Sequence, residues 1–259
     1  MTHKDILLEL QGPVALIRLN RPSKRNALSD SLILGLRDVF EKELPDSGVR
    51  AAVLDGSGEH FCAGLDLSEI RDRDAGQGLH HSRMWHAALE QVQYGPVPVI
   101  AALHGAVVGG GLELASACHI RVADETTFYA LPEGSRGIFV GGGGAVRIPR
   151  LIGAARMTDM MLTGRVYNAQ DGERAGFAQY LVPQGQATAK AMELALRVAE
   201  NAPLTNYALM HALPRIAEQP ADQGFFTEAL MAAIAQSAPE AKSRVKAFLD
   251  GKAAKVKKA

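Results

Sequence analysis

The stretch His104-Gly105-Ala106-Val107-Val108-Gly109-Gly110-Gly111-Leu112-Glu113-Leu114-Ala115 decides how this chain is read. A strand-like run from Val97 to Leu103 leads into it, and a helix-like run over residues 111–118 leaves it. Three glycines stand at the junction. Backbone without side chains admits close approach to its N–H groups, and the first turn of a helix aims those donors at negative charge. Glu113 falls in that first turn, and Glu133, behind Pro132, follows twenty positions later. Two carboxyl groups beside backbone donors are equipped for proton transfer around a stabilised enolate. The plainer reading is that the glycines only allow tight packing and that Glu113 only favours the helix dipole. At this point both stand.

A second segment bears on the choice. Ala51-Ala52-Val53-Leu54-Asp55 reads as a strand, followed by the small-residue loop Gly56-Ser57-Gly58-Glu59-His60-Phe61-Cys62-Ala63-Gly64-Leu65-Asp66-Leu67 and a short helical turn through Glu69. Gly64 frees the N–H of Leu65 to point into a cavity, one donor to pair with another from the glycine triplet.

Composition sets the bounds. The chain has 259 residues, 47% of them hydrophobic, enough for one large domain or a domain with an appendage. Acidic and basic residues balance at 28 each, which argues against a dedicated nucleic-acid binder. The skewed end, Gly251 to Ala259 with its four lysines, reads as a solvated tail or as an electrostatic contact for a polyanionic ligand. Cys62 and Cys118 lie 56 positions apart without metal-ligand spacing, as reduced thiols do, and no neighbouring histidine makes Cys62 a nucleophile. His80, His81 and His86 lack a supporting carboxylate pattern and read as a solvated helix face, so no metal site is expected. The start of the chain shows no secretory h-region, and the run Val97–Val108 is too short to span a bilayer. A cytoplasmic protein without membrane contact is expected.

Along the chain, residues 6–10 and 14–19 read as two strands about Gly12-Pro13. Ser29 or Asp30 caps a helix whose apolar face is Leu32, Leu36, Val39 and Phe40, and which stops before Pro45. Strand-like runs recur at 51–54, 97–103, 119–123, 126–130 and 178–182, alternating with helical stretches at 80–94, 111–118 and 155–162. This alternation predicts an α/β body with parallel pairing in part. From Ala187 the strand signal ends, and helices are predicted over 187–200, 203–217, 223–237 and 239–249.

Taken in order, the motifs resemble the crotonase (enoyl-CoA hydratase/isomerase) superfamily along nearly the whole chain. They are Arg21-Pro22 with Asn26-Ala27-Leu28; Phe61 to Leu67; His104-Gly105 through Gly109-Gly110-Gly111-Leu112-Glu113; Pro132-Glu133-Gly134; and the glycine run into Arg147-Ile148-Pro149-Arg150. The resemblance implies a crotonase-like ββα spiral over residues 1–200, then a helical trimerisation region with the Lys-rich tail over 201–259. It further implies trimers or dimers of trimers. Its substrate would be an acyl-CoA thioester, coenzyme A being part of the substrate and no separate cofactor being needed. The thioester oxygen would be held by the backbone N–H groups of Leu65 and Gly110. Coenzyme A would lie near Arg25, Ala63, Asp66 and Leu67, largely on their backbone, with the tail adding phosphate contacts.

Members with both carboxylates resemble hydratases, and Glu113 and Glu133 fall on both positions. By that resemblance Glu113 activates a water for attack on the β-carbon and Glu133 delivers the α-proton. Leu65 is bulkier than the alanine common at its position, and Gly141-Gly142-Gly143-Gly144 is richer in glycine than the usual run. The latter reads as a close-packed turn into the next helix. Trp85, Tyr94, Tyr129 and Phe139 are candidates for an acyl pocket or for the core. Double-bond isomerisation, hydration coupled to cleavage of a hydroxycinnamoyl-CoA, and acyl-CoA binding without turnover are the alternatives. A dinucleotide module is disfavoured, since no G-x-G-x-x-G is present in a βαβ setting.

Overall fold

The computed structural model describes residues 3–69 and 73–252, so the Lys-rich end from residue 253 lies outside the described residues. The chain forms two compact units, Met1–Ala199 and Glu200–Ala259. In the first, a six-stranded sheet runs in the order β1 (Ile6–Gln11), β2 (Val14–Leu19), β3 (Ala51–Gly56), β4 (Val99–Leu103), β6 (Ile120–Asp124), β9 (Tyr180–Val182). Only the β1–β2 hairpin is antiparallel; every later pairing is parallel.

The central strands carry short apolar residues on both faces because both faces are covered. Successive side chains point to opposite sides. Ala52 and Leu54 of β3, with Ala101 and Leu103 of β4, therefore enter the larger core, with Leu32 and Leu36 of α1 (Asp30–Asp38). Ala51, Val53, Ile100 and Ala102 point the other way, against Ala191, Leu194 and Ala195 of α7 (Ala187–Glu200). Ser29 is the N-cap of α1, its hydroxyl accepting from the Leu32 N–H at 3.2 Å. A wide π turn over Val39–Glu43 ends that helix ahead of Pro45.

A second sheet of three short strands runs β5 (Ala106–Val108), β7 (Phe128–Ala130), β8 (Tyr167–Asn168). Successive strands alternate between the two sheets and then enter a helix. β4 and β5 lead to α3 (Gly110–Ala117), and β6 and β7 lead to α4 (Gly144–Ile152) and α5 (Ala154–Thr163). That is the expected ββα spiral, with α3 packed beside β5 of the small sheet and α4 packed on α3. Two further elements complete the unit: α2 (Ala75–Tyr94), opened by an Asp74–Gln77 capping box, and α6 (Ala169–Ala175). β5 and β8 do not follow from sequence periodicity, because two or three residues give no measurable period, and the seven residues of α6 are less than two full helical turns.

The second unit is helical. The single helix expected over 203–217 is instead α8 (Pro203–Tyr207), a π turn over Ala208–Ala212 and α9 (Leu213–Ile216). Pro214, at the start of α9, has no N–H for an α-helical bond to the preceding turn, which widens there. α10 (Ala221–Ser237) and α11 (Pro239–Leu249) follow, the latter opened by its proline.

Candidate active site

The site is built on two loops of the first unit that run side by side. The Leu28 N–H donates to the Gly64 carbonyl at 2.8 Å, and the Asp66 N–H to the Leu28 carbonyl at 2.9 Å, a short parallel bridge. Asn26, buried at φ +55°, ties its own loop to the other: its amide donates to the carbonyls of Ser57 and His60 at 2.9 and 2.7 Å. Asparagine tolerates that left-handed backbone better than most residues. Cys62 is buried beneath, donating to the Asn26 carbonyl at 3.1 Å and accepting from the Gly64 N–H at 3.4 Å. Burial pushes its thiol up to about 12, so Cys62 is a fixed structural thiol and not a nucleophile.

This framework presents two backbone donors. Gly64 has φ +100° and Gly109 has φ +52°, and each precedes a donor: Leu65 and Gly110. Neither the Leu65 nor the Gly110 N–H donates to any described residue. A side chain at 64 would place its Cβ 2.8 Å from the Val108 carbonyl oxygen and 3.4 Å from the Gly110 nitrogen. One at 110 would come within 3.3 Å of the Leu65 nitrogen. The two amide nitrogens therefore lie near one another across the gap that the missing side chains leave, and both residues line a single cavity of about 200 Å³. Gly110 opens α3, so its donor also carries the positive end of that helix.

Glu113 and Glu133 line the same cavity. Both are buried, and they differ in how they are held. Glu113 Oε1 accepts from the Gly142 and Gly144 N–H groups, each at 2.8 Å. Burial raises its pKa above the ordinary carboxyl range, while the Gly144, Gly142 and Gly141 amides and the Arg147 charge pull against that rise. Burial also raises Glu133, and the Glu113 charge raises it further; its own backbone N–H and Arg136 oppose. Glu133 Oε2 is buried without a hydrogen-bond partner. Donors therefore favour the ionised form of Glu113, and their scarcity favours the protonated form of Glu133.

The family model for enoyl-CoA hydratase/isomerase matches residues 9–258. This chain belongs to that family, the crotonase superfamily. The 2,3-dehydroadipyl-CoA hydratase of Escherichia coli K12 is 31% identical over 95% of this chain and 95% of its own length. The enoyl-CoA hydratase EchA19 of Mycobacterium tuberculosis is 29% identical over 96% and 95%. A crystallised enoyl-CoA hydratase-like protein of Rhodopseudomonas palustris CGA009 superposes with a TM-score of 0.93 at 59% identity, covering 97% of this chain and 96% of that one. The fold is thus that of the crotonases, whose members act on acyl-CoA thioesters.

The walls of this crotonase's cavity correct part of the sequence reading. One face of α2, with Gly78, His81, Ser82 and Trp85 at helical spacing, lines it together with Ile138, Phe139 and Val140. His81 is no solvated residue: its Nε2 lies 2.7 Å from Asp30 Oδ1 and its ring 5.8 Å from that of Trp85. His80 is exposed and His86 half-buried, and no cluster able to hold a metal occurs among the described residues. Of the four aromatic candidates, Trp85 and Phe139 line the cavity. Tyr129 is core, stacked on Phe177 at 4.6 Å, and Tyr94 ends α2 away from the cavity lining. The turn at Gly141–Gly144 does lead into α4, but it is also the cradle of Glu113, which its glycine content alone did not reveal.

Arg25, Ala63, Asp66 and Leu67 come together because the Ala63 N–H donates to the Arg25 carbonyl at 2.9 Å. The N–H groups of Ala63 and Asp66 are spent within the chain, and the Asp66 carboxylate accepts from Arg21 at 3.0 Å and from Ser68 at 2.7 Å. Among the described residues no backbone partner occupies the Ala63 carbonyl or the Leu67 N–H, which lie beside the exposed Arg25 side chain. No described helix is long and apolar enough to cross a membrane.

Proposed function

We propose that this protein is an enoyl-CoA hydratase that adds water across the α,β double bond of a trans-2-enoyl-CoA to give a 3-hydroxyacyl-CoA. The observation that carries the reading is that two free backbone donors and two differently held carboxyl groups line one small cavity. The thioester oxygen lies against the Leu65 and Gly110 N–H groups. Ionised Glu113 takes a proton from water as its oxygen bonds to the β-carbon. The π electrons move through the α-carbon onto the thioester oxygen, where the two donors hold the charge. Protonated Glu133 delivers its proton to the α-carbon, the carbonyl re-forms, and one water has been added. Two carboxyl groups close enough to resist joint ionisation supply the acid and the base in one pocket.

Coenzyme A would run from this cavity along the 21–28 and 63–67 loops. There the Ala63 carbonyl would accept from the adenine amine and Arg25 would meet the phosphates. The observations supporting this are the free carbonyl and the exposed guanidinium on adjoining loops.

The test is loss of enoyl absorbance with crotonyl-CoA and longer or aromatic enoyl-CoAs. Glu113→Gln and Glu133→Gln are each expected to lower kcat by roughly 10²- to 10⁴-fold, the span of general acid–base contributions. Wild-type-like turnover by either variant, or turnover of 3-enoyl-CoA in place of 2-enoyl-CoA, would overturn the assignment.

We further infer that the second unit is the oligomer-forming segment, consistent with the trimer that the family resemblance implies. In α10 only Gly224 is buried, whereas Phe225 and Phe226 are 71% and 68% exposed and Leu230 and Ile234 are open too. A helix that is apolar around its circumference belongs in an interior. A second copy of this chain would supply it.

A further inference from the structure

The peptide bond between Gly141 and Gly142 faces two ways. Its N–H, on Gly142, donates to Glu113 Oε1 at 2.8 Å, and its carbonyl, on Gly141, accepts from Ser82 Oγ at 2.6 Å. We propose that Ser82, on α2, is a positioning residue that locks this peptide and thereby aims the Glu113 carboxylate at the reacting water. The proposal rests on the assignment of Glu113 as the base.

A peptide with glycine on both sides rotates at little steric cost. If this one flips, a carbonyl oxygen replaces the donor in front of Glu113, and attraction turns into repulsion. A hydroxyl on the far side opposes the flip, because the flip would take the Gly141 carbonyl, its acceptor at 2.6 Å, away from Ser82 and leave it only the longer 3.4 Å contact with His86 Nε2. The Ser82 bond also polarises the peptide, strengthening the N–H bond on its other end.

The next peptide is held in the same manner. The Gly142 carbonyl accepts from Arg147 Nη1 at 2.9 Å, and Arg147 Nε donates to Gln93 Oε1 at 2.6 Å. Ser82 and Gln93 both belong to α2, which therefore fixes two successive peptides of the cradle. The indole of Trp85, between them on α2, closes the remaining side: a Cβ at 142 would meet its Cε3 at 2.9 Å. The charged and titratable groups around this assembly are Glu133 and Arg147 facing Glu113, Arg136 facing Glu133, and His86, which interacts with the Gly141 carbonyl as well, lies 3.4 Å by its Nε2 from Ser82 Oγ, and feels the charges of Arg83, Glu90 and Arg147.

The experiment compares Ser82→Ala, Ser82→Thr and Ser82→Cys with wild type. Ser82→Ala is expected to lower kcat by roughly 10- to 100-fold, as a misplaced catalytic group does, with KM within about threefold. The acidic limb of its pH–rate profile moves to higher pH, since the Gly142 N–H is among the donors that pull the Glu113 pKa down. Ser82→Thr, which keeps the hydroxyl, restores kcat to within about threefold. On a Glu113→Gln background Ser82→Ala has no further effect.

Deuterium exchange read by mass spectrometry supplies a measure that needs no turnover. The amides of residues 141–144 exchange faster in Ser82→Ala than in wild type, and as in wild type in Ser82→Thr. Unchanged exchange or an unchanged kcat and pH profile overturns the proposal, as does an effect that adds to Glu113→Gln. Should Ser82→Ala fail to fold, Ser82→Cys, of similar size with a weaker donor, takes its place with the same expected directions. Absence of hydration by wild type strikes the functional reading alone, and the exchange comparison still decides the role of Ser82.

Discussion

Gly109→Ala tests the geometry of the site more sharply than removal of either carboxyl group. Gly109 has φ +52° and ψ −120°, a conformation an L-residue rarely adopts, at a cost of about 1–3 kcal/mol. At roughly 2–4 °C per kcal/mol for a chain of this size, the melting temperature falls by about 2–12 °C. A Cβ at this position would also lie 2.6 Å from Glu133 Oε1, whereas ordinary contact begins at 3.4 Å. The carboxyl oxygen must therefore retreat by 0.8 Å, the difference between those two distances. A displacement near 1 Å costs a catalytic group about 10²-fold, or about 2.7 kcal/mol in the barrier. The expected outcome is thus a kcat near 1% of wild type with KM changed little, measured by crotonyl-CoA hydration well below the melting transition. Gly12→Ala is the control: Gly12 has φ +61° in the β1–β2 turn with nothing within 4 Å of an added Cβ. It loses stability without losing turnover. Full turnover by Gly109→Ala, or an equal loss in Gly12→Ala, would refute the placement of Glu133 against the reacting carbon.

Two further outcomes follow from the buried carboxyl group and the exposed helix. Because burial raises the folded-state pKa of Glu113 above its unfolded value, the unfolded chain loses that proton first as pH rises, and folding stability falls from about pH 4 up to the raised pKa. Glu113→Gln escapes this fall while its carbonyl still accepts from Gly142 and Gly144, so its stability advantage is absent below about pH 4 and grows as pH rises toward neutrality; thermal melts showing a pH-independent difference would contradict it. Phe226→Asp places a charge on the apolar circumference of α10, and light scattering is expected to show a smaller assembly than wild type, an unchanged mass counting against an interface there.

Much of this architecture is legible in the chain because its signals are local. The glycine triplet followed by Glu113, and Gly64 followed by Leu65, mark places where backbone must come close to something, and the cavity is there. The strands β3 and β4 are legible from unbroken apolar runs. Other parts depend on partners far away in sequence. The role of Gly142 and Gly144 is to donate N–H groups to a side chain some thirty positions earlier, and no residue type advertises that. β5 has three residues and exists because β7 pairs with it. His81 was within reach: Gly78, His81, Ser82 and Trp85 share one helix face, and Trp85 on that face argues against a solvated reading. What the histidines' polarity concealed was the carboxylate of Asp30, fifty-one positions earlier, that makes the partial burial of His81 tolerable.

The described hydrogen-bond donors to Glu113, the N–H groups of Gly142 and Gly144, belong to the backbone, and so do the Leu65 and Gly110 N–H groups proposed above to hold the thioester oxygen. A backbone N–H is indifferent to its own side chain, which is why a leucine at 65 in place of a smaller residue leaves the donor intact. It is sensitive instead to φ and ψ, and hence to whatever fixes the peptide plane. Gly64, Gly109 and Gly143 stand next to those peptides with positive φ, at +100°, +52° and +95°. Each would collide if given a Cβ, with the Val108 carbonyl, Glu133 and Arg147 respectively. Substitutions that disable such a site should therefore concentrate at the glycines beside the donors and at the side chains that anchor the peptides, with the donor residues themselves the most tolerant.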